Sequence, residues 1–245
     1  MKRIALRHLI TVLALALLFA GNIDAKKKKT TSGVPAGLTG EARECYMKAS
    51  KGDEGAQLLL AYFYQKGENA PRDLNKAIQW YKKAAEKGNV IAQYNLGDIY
   101  DSKKDFTTAA SWYEMAANQG DAASQLSLGN CYFNGEGKPQ DDGKAIYWFT
   151  KASQQGLAAA QRCMGICYDE GRGVQQDREK AVEWYRKAAN QGDAAAQLNL
   201  GLSYYNGEGV EKNLNKALEW FEKAAKQGDK DALRAYKELL QEMGK

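Results

Sequence analysis

Histidine is all but missing from this chain: the one copy, His8, stands within the first ten residues. Histidine is the usual general base of Ser-His-Asp and Cys-His catalysis and a usual zinc ligand, so its scarcity speaks against both chemistries. The Ser-x-x-Lys arrangement of an acylating serine occurs nowhere. Proline is rare, with three residues in 245, so little interrupts long helical runs. An Asn-x-Ser/Thr sequon is also lacking, which favours a bacterial envelope over a eukaryotic lumen. A sustained basic face is absent too. The net charge is +5, but Lys2, Arg3, Arg7 and Lys26–Lys29 supply it, and residues 30–245 sum to −1. A near-neutral body of this kind argues against a nucleic-acid partner, which needs clustered cations.

What the chain has is repetition. The stretch Asp193–Gly228 recurs as near copies that begin at Leu157, Asp121, Asn89 and Asp53. A period of about 20–50 residues is the mark of a solenoid, in which each unit buries its apolar face only against its neighbours. Within a copy the apolar spacing is helical twice over. Ala196, Leu200 and Tyr204 fall at i, i+4 and i+8, and Ala217, Trp220, Phe221, Ala224 and Ala225 at i, i+3, i+4, i+7 and i+8. Between them Asn206-Gly-Glu-Gly-Val210 supplies the positive-φ positions of a tight reversal. Asn213 then stands where an N-cap belongs, as do Asp73, Asp105, Asp141 and Asp177 in the other copies. The second helix closes at Gln227-Gly228, a glycine C-cap signal. Each copy is therefore read as an α-hairpin.

Five tryptophans set the register, Trp80, Trp112, Trp148, Trp184 and Trp220, at spacings of 32, 36, 36 and 36. The short interval falls in copy two, where Tyr100-Asp-Ser-Lys-Lys-Asp105 has lost the glycine loop. This predicts a tighter hairpin. The organisation reads as a signal segment over 1–25, a disordered linker over 26–40, a half-repeat helix over 41–52, and repeats over 53–88, 89–120, 121–156, 157–192 and 193–228. A capping helix over 229–245 ends the chain, with Lys237 and Leu240 where the repeats carry Gly201 and Tyr204. The signal reading rests on Lys2, Arg3 and Arg7 before the apolar run Leu9–Ala20, with Ala25 as the cleavage residue and Ala20 as second choice. Lys26–Lys29 oppose export, and the alternative is an uncleaved, membrane-attached N-terminus.

Glycines 97, 129, 165 and 201 fall mid-helix, where glycine is about 1 kcal/mol worse than alanine. A partner helix approaching too closely for a β-carbon explains them, and the tryptophan with the Ala-Ala pair is expected to form that partner's face. Cys45, Cys131, Cys163 and Cys167 read as small core residues, with disulfides or a metal site as the alternatives. The Gly-Glu-Gly and Gly-Arg-Gly loops lack the third glycine of a phosphate cradle and read as hairpin loops. Asp98, Asp101, Asp169 and Glu170 read as surface charge rather than an acid/base pair.

The string carried by Ala160, Gln161, Met164, Gly165, Tyr168, Gly171, Gly173, Asp177, Lys180, Ala181, Trp184, Tyr185, Ala188 and Ala189 resembles the Sel-like repeat family, a branch of the tetratricopeptide superfamily. Copy one departs from it with Ala61 and Asn69 at two glycine positions, and copy two by its lost loop. The resemblance implies an all-α fold, a right-handed α-solenoid of tandem helix hairpins. It implies an adaptor or scaffold that binds a protein or peptide segment in a concave groove lined by the first helices, periplasmic or secreted, with no catalytic residue, cofactor or metal. The groove positions it implies are Leu58 and Tyr62 in copy one, Tyr94 and Asp98 in copy two, and Leu126, Asn130 and Phe133 in copy three. Copy four adds Arg162, Ile166, Asp169 and Glu170, and copy five Leu198, Leu202 and Tyr205. Some of these leucines could instead pack between adjacent helices. Two other classes remain: an envelope glycan binder, which would also use groove aromatics, and a hydrolase of the cell envelope.

Overall fold

The computed structural model describes residues 33–244, and among them there are twelve α-helices and no strand. The signal segment lies outside the described residues. Chain contacts divide at Gln119/Gly120 into two compact units. The first holds α1 (Gly40–Ala49), the hairpin α2 (Glu54–Lys66) and α3 (Leu74–Ala85), and the hairpin α4 (Val90–Ser102) and α5 (Phe106–Asn118). The second holds three hairpins: α6 (Ala122–Asn134) with α7 (Asp142–Gln154), α8 (Ala158–Glu170) with α9 (Arg178–Asn190), and α10 (Ala194–Asn206) with α11 (Leu214–Lys226). It ends in α12 (Lys230–Glu242). The fold is an all-α repeat solenoid.

The helix starts are where the capping residues put them. Asp73, Asp105, Asp141, Asp177 and Asn213 each accept a backbone N–H from the first turn of the helix they precede. The satisfied N–H is one of four that a helix start leaves without a partner. Copy one's two helices are joined by seven residues, 67–73, and copy two's by three, 103–105, as the shortened register requires. Lys104 turns that short link at a φ of 63°, a left-handed conformation unusual for a residue with a side chain.

The linker reading needs correction at its C-terminal end. Leu38 is buried, and Thr39 donates its backbone N–H to the Asn69 carbonyl at 2.9 Å. Residues 34–39 cover copy one's loop because no full repeat precedes it, and an exposed apolar edge would otherwise face water. Asn69 holds a φ of 54° where copies three to five have glycine.

The mid-helix glycines do admit a close partner, but the ring that enters is the residue after the tryptophan. A β-carbon on Gly165 would lie 2.5 Å from Cδ1 and Cε1 of Tyr185, and one on Gly129 would lie 2.6 Å from the same atoms of Phe149. Phe221 fills the same space at Gly201, and Tyr113 at Gly97. The tryptophan sits one residue aside, roofed by the lysine three residues on. Lys83 Nζ is 4.0 Å from the Trp80 ring centroid, Lys187 Nζ 4.1 Å from Trp184 and Lys223 Nζ 3.9 Å from Trp220. Of the alanine pairs, Ala84, Ala85, Ala188 and Ala189 are buried, but the nearest side chains to the glycines are the rings.

A glutamine relay joins successive helices. Gln93 and Gln197, near the starts of α4 and α10, donate Nε2 to the carbonyls of Ala85 and Ala189 at the end of the preceding helix. Their Oε1 atoms accept from Gln119 and Gln227, which follow the second helix of the same copy. Gln125 and Gln161 accept likewise from Gln155 and Gln191. Copy one breaks the relay. Gln57 donates to the Ala49 carbonyl, but its buried Oε1 has no partner, because Lys87 stands where the other copies have glutamine. Lys87 spends its ammonium on the Gly52 carbonyl at 2.7 Å. In copy three, Gln155 reaches both the corresponding Gly120 carbonyl and Gln125. A buried acceptor left unpaired is destabilising by about 1–3 kcal/mol. Lys87→Gln is therefore expected to raise stability by about 1 kcal/mol, read as a higher urea midpoint at unchanged slope.

The four cysteines are free thiols. Cys45, Cys131 and Cys167 are buried, the core reading of the alternatives above. Burial pushes the Cys163 thiol up to about 11, and those of Cys45 and Cys167 to about 12. They stay protonated and unreactive at neutral pH.

Candidate interaction face

The residues expected to line a groove sit at the fifth, ninth and twelfth positions of the first helices, with Glu170 at the thirteenth of α8, and packing divides them. Leu58, Tyr94 and Leu126, all at the fifth position, are buried at 2%, 9% and 6% exposure, so their expected exposure is corrected. Leu58 belongs to the core cluster of the first unit, and the Tyr94 ring lies 6.0 Å from that of Tyr113. Tyr62 is half-buried, its ring 6.2 Å from Phe63 and edge-on to it.

Several polar members of the set are occupied by the repeat's own aromatic. Tyr113 donates its hydroxyl to Asp98 at 2.8 Å and Tyr185 to Asp169 at 3.4 Å; in copy one Tyr81 donates likewise to Gln65, which was not in the set, at 2.8 Å. In copy three the second helix carries Phe149, with no hydroxyl, and the residue opposite is Phe133, ring centres 6.0 Å apart. Ring and counterpart thus match in polarity in copies one to four, with copy two using the ninth position, Asp98, instead of the twelfth; copy five, with Phe221 and Tyr205, does not follow. Burial, with Asp98 next in effect, drives the Tyr113 phenol far above its ordinary range, so it remains a donor throughout.

Phe133 was expected to stand open as an anchor. Instead the Arg172 guanidinium lies over its face, 3.4 Å from the ring centre. Arg172 Nη2 also donates to the Phe133 carbonyl and to Asp142 Oδ1, each at 2.6 Å. Arg172 comes from the Gly-Arg-Gly loop of copy four, so that loop clamps the preceding copy. The sequence hinted at it only by one arginine where the sister loops carry Glu136 and Glu208. Arg162, expected as the lone groove cation, pairs with Asp193 at 3.0 Å, and Asp193 simultaneously caps α10 through the Ala196 N–H. Tyr205 is half-buried, with its hydroxyl given to Glu242 of α12 at 2.9 Å.

What stays open lies on α8 and α10. Leu202 is 40% exposed in the middle of a helix, and Ile166 and Leu198 are half-buried against the core of the second unit. Ile166 and Leu202 occupy the same position in successive copies. With Leu198 one turn before Leu202, they are the apolar groove positions left uncovered on successive first helices, suited to a partner's apolar side chain. Among the described residues no group of three or more His, Cys, Asp or Glu could hold a metal ion, and no helix is long and apolar enough to cross a membrane.

The Sel1 repeat profile matches residues 55–89, 90–121, 122–157, 158–193 and 194–229. Among solved structures the chain is similar to c5321, a protective antigen of uropathogenic Escherichia coli displaying an SLR fold. Identity is 36% and TM-score 0.75 over 81% of this chain, which spans 43% of that one. It is also similar to a Sel1 repeat protein from Oxalobacter formigenes, at 33% identity and TM-score 0.74, covering 77% of this chain and 76% of that one. YrrB, a TPR protein with an unusual peptide-binding site, aligns over 81% of this chain and 98% of its own at 24% identity and TM-score 0.52, a likeness of fold alone. Among curated proteins none matches.

Proposed function

The chain belongs to the Sel1 repeat family, whose repeats serve generally as protein-interaction scaffolds, and we propose that this one is a non-enzymatic adaptor that works in the periplasm or outside the cell. The observation that carries the binding reading is Leu202, 40% exposed on an ordered helix, with Ile166 and Leu198 half-buried. A partner segment seats its apolar side chains on these residues and the half-buried ring of Tyr205. Export is supported by the basic start and apolar run of residues 1–20. The nearly histidine-free sequence favours binding over hydrolysis.

The test is affinity capture from the native envelope fraction, followed by titration of the captured protein. Leu202→Asp places a charge among them without touching the core. It is expected to weaken binding by about tenfold or more, with the melting temperature within a degree or two of the parent. Undiminished binding by Leu202→Asp would move the interaction to another face. Capture of envelope glycan instead of protein would favour the glycan-binding alternative.

A further inference from the structure

Where copy two has lost its loop, the first unit carries a cavity of about 410 Å³, lined by Gln65, Lys66, Arg72, Leu74, Asp98, Ile99 and Ser102. That volume lies within the range of small ligand sites, about 300–1,000 Å³. The repeat register shows what fills this place elsewhere. Phe133 and Asp142 are the copy-three counterparts of Gln65 and Leu74, and there the incoming loop is Gly171-Arg172-Gly173. Arg172 bonds to the Phe133 carbonyl and Asp142, and a β-carbon on Gly173 would sit 2.5 Å from the Asp142 carbonyl oxygen. In copy four the counterpart of Leu74 is Arg178. There the incoming loop is Gly207-Glu208-Gly209: Glu208 pairs with Arg178 at 3.5 Å, and Gly209 lies against the Arg178 backbone. The seat is thus a docking place for a Gly-x-Gly turn, and in these two seats x pairs with an oppositely charged side chain at the position of Leu74: Arg172 with Asp142, and Glu208 with Arg178, which also meets Asp169 at 3.7 Å.

We propose that the open seat on copy one takes an acidic turn, Gly-Glu-Gly in character, from a protein partner, where the chain's own copy-two loop is missing. Charge complementarity names the acid. Lys66 and Arg72 line the cavity, and among the described residues Arg72 has no carboxylate partner. The only carboxylate in the lining, Asp98, already accepts the Tyr113 hydroxyl. Lys103 and Lys104 follow Ser102 in the short link, outside the lining itself. A carboxylate in the turn meets Lys66 and Arg72 while the glycines allow the close approach seen at Gly173 and Gly209.

The probe is a cyclic peptide containing Asn-Gly-Glu-Gly-Val, the chain's own residues 206–210, against its counterpart with arginine in place of glutamate. Binding to the full chain is followed by amide NMR shifts of Ile99 and Ser102. Saturable shifts are expected with the glutamate peptide, about tenfold tighter than with the arginine peptide, and Arg72→Glu is expected to abolish that preference. A variant with Lys103–Asp105 replaced by the copy-five link Gly207–Asn213 should fill its own seat, melt higher and show no peptide shifts. Equal binding of both peptides, no saturable shift with either, or binding unaffected by Arg72→Glu each overturns the proposal. The seat belongs to copies one and two, whereas Leu202 belongs to copy five, and the probe is defined. Failure here leaves the helix-face reading standing, and the converse also holds.

Discussion

Gly165→Leu is expected to destabilise the protein by roughly 3 kcal/mol. The reason is geometric. Even the first side-chain carbon would overlap the Tyr185 ring, at 2.5 Å from two of its atoms. Tyr185 is itself buried, so it has nowhere to retreat. The helices must part, and the alanine pair Ala188 and Ala189 must lose contact with them. Gly143→Ala is the control. Gly143 lies in the first turn of α7, where an added β-carbon meets only Asp141 Oδ1 at an ordinary 3.4 Å. It should gain about 0.5–1 kcal/mol from helix propensity alone. Urea titrations of both variants decide the matter, and so does a double-mutant cycle. Pairing Gly165→Ala with Tyr185→Leu should be less harmful than the sum of the two, because shrinking the ring relieves the overlap. Strict additivity would count against the ring-in-gap account. Since neighbour contacts carry a solenoid's stability, hydrogen exchange in Gly165→Leu should rise most in the copies adjoining α8 within residues 120–244.

The second large effect belongs to Arg172. Arg172→Ala removes charge-assisted hydrogen bonds to Asp142 and to the Phe133 carbonyl, and uncovers the ring beneath. Both charged side chains are about a quarter to a third exposed, at 25% and 30%, which moderates the pair. Hydrogen bonds to charged groups contribute about 1.5–3 kcal/mol and the ring contact about 0.5–1, so a loss of about 2 kcal/mol is expected. Arg172→Lys should recover less than half of it, because an ammonium cannot stack flat on Phe133 while reaching both oxygens. Full recovery by lysine would reduce the clamp to simple charge pairing. Phe133→Ala should destabilise as well, since Phe133 packs on Phe149 and under Arg172. Phe133 is thus a structural residue rather than a free anchor.

Much of the architecture was legible in the residues themselves. The hairpins, their caps, the shortened link of copy two and the need for a β-carbon-free crossing at Gly97, Gly129, Gly165 and Gly201 all depend on local chemistry. Helical spacing is an i, i+4 matter, an N-cap acts across three residues, and a period of 36 repeats whatever the unit does. Tertiary structure decided what happens between residues 20 or more apart. It placed Tyr185 rather than Trp184 over Gly165, because only one face of α9 meets α8. It gave Arg162 to Asp193, 31 residues on, and Arg172 to Phe133, 39 residues back. It buried Leu58, Tyr94 and Leu126 while leaving Leu202 open, although all four read alike as apolar positions of a first helix. Apolarity states only that a side chain prefers to leave water. Whether a neighbour arrives to cover it depends on the stacking of copies, and that is also why a loop lost from copy two leaves a seat open on copy one.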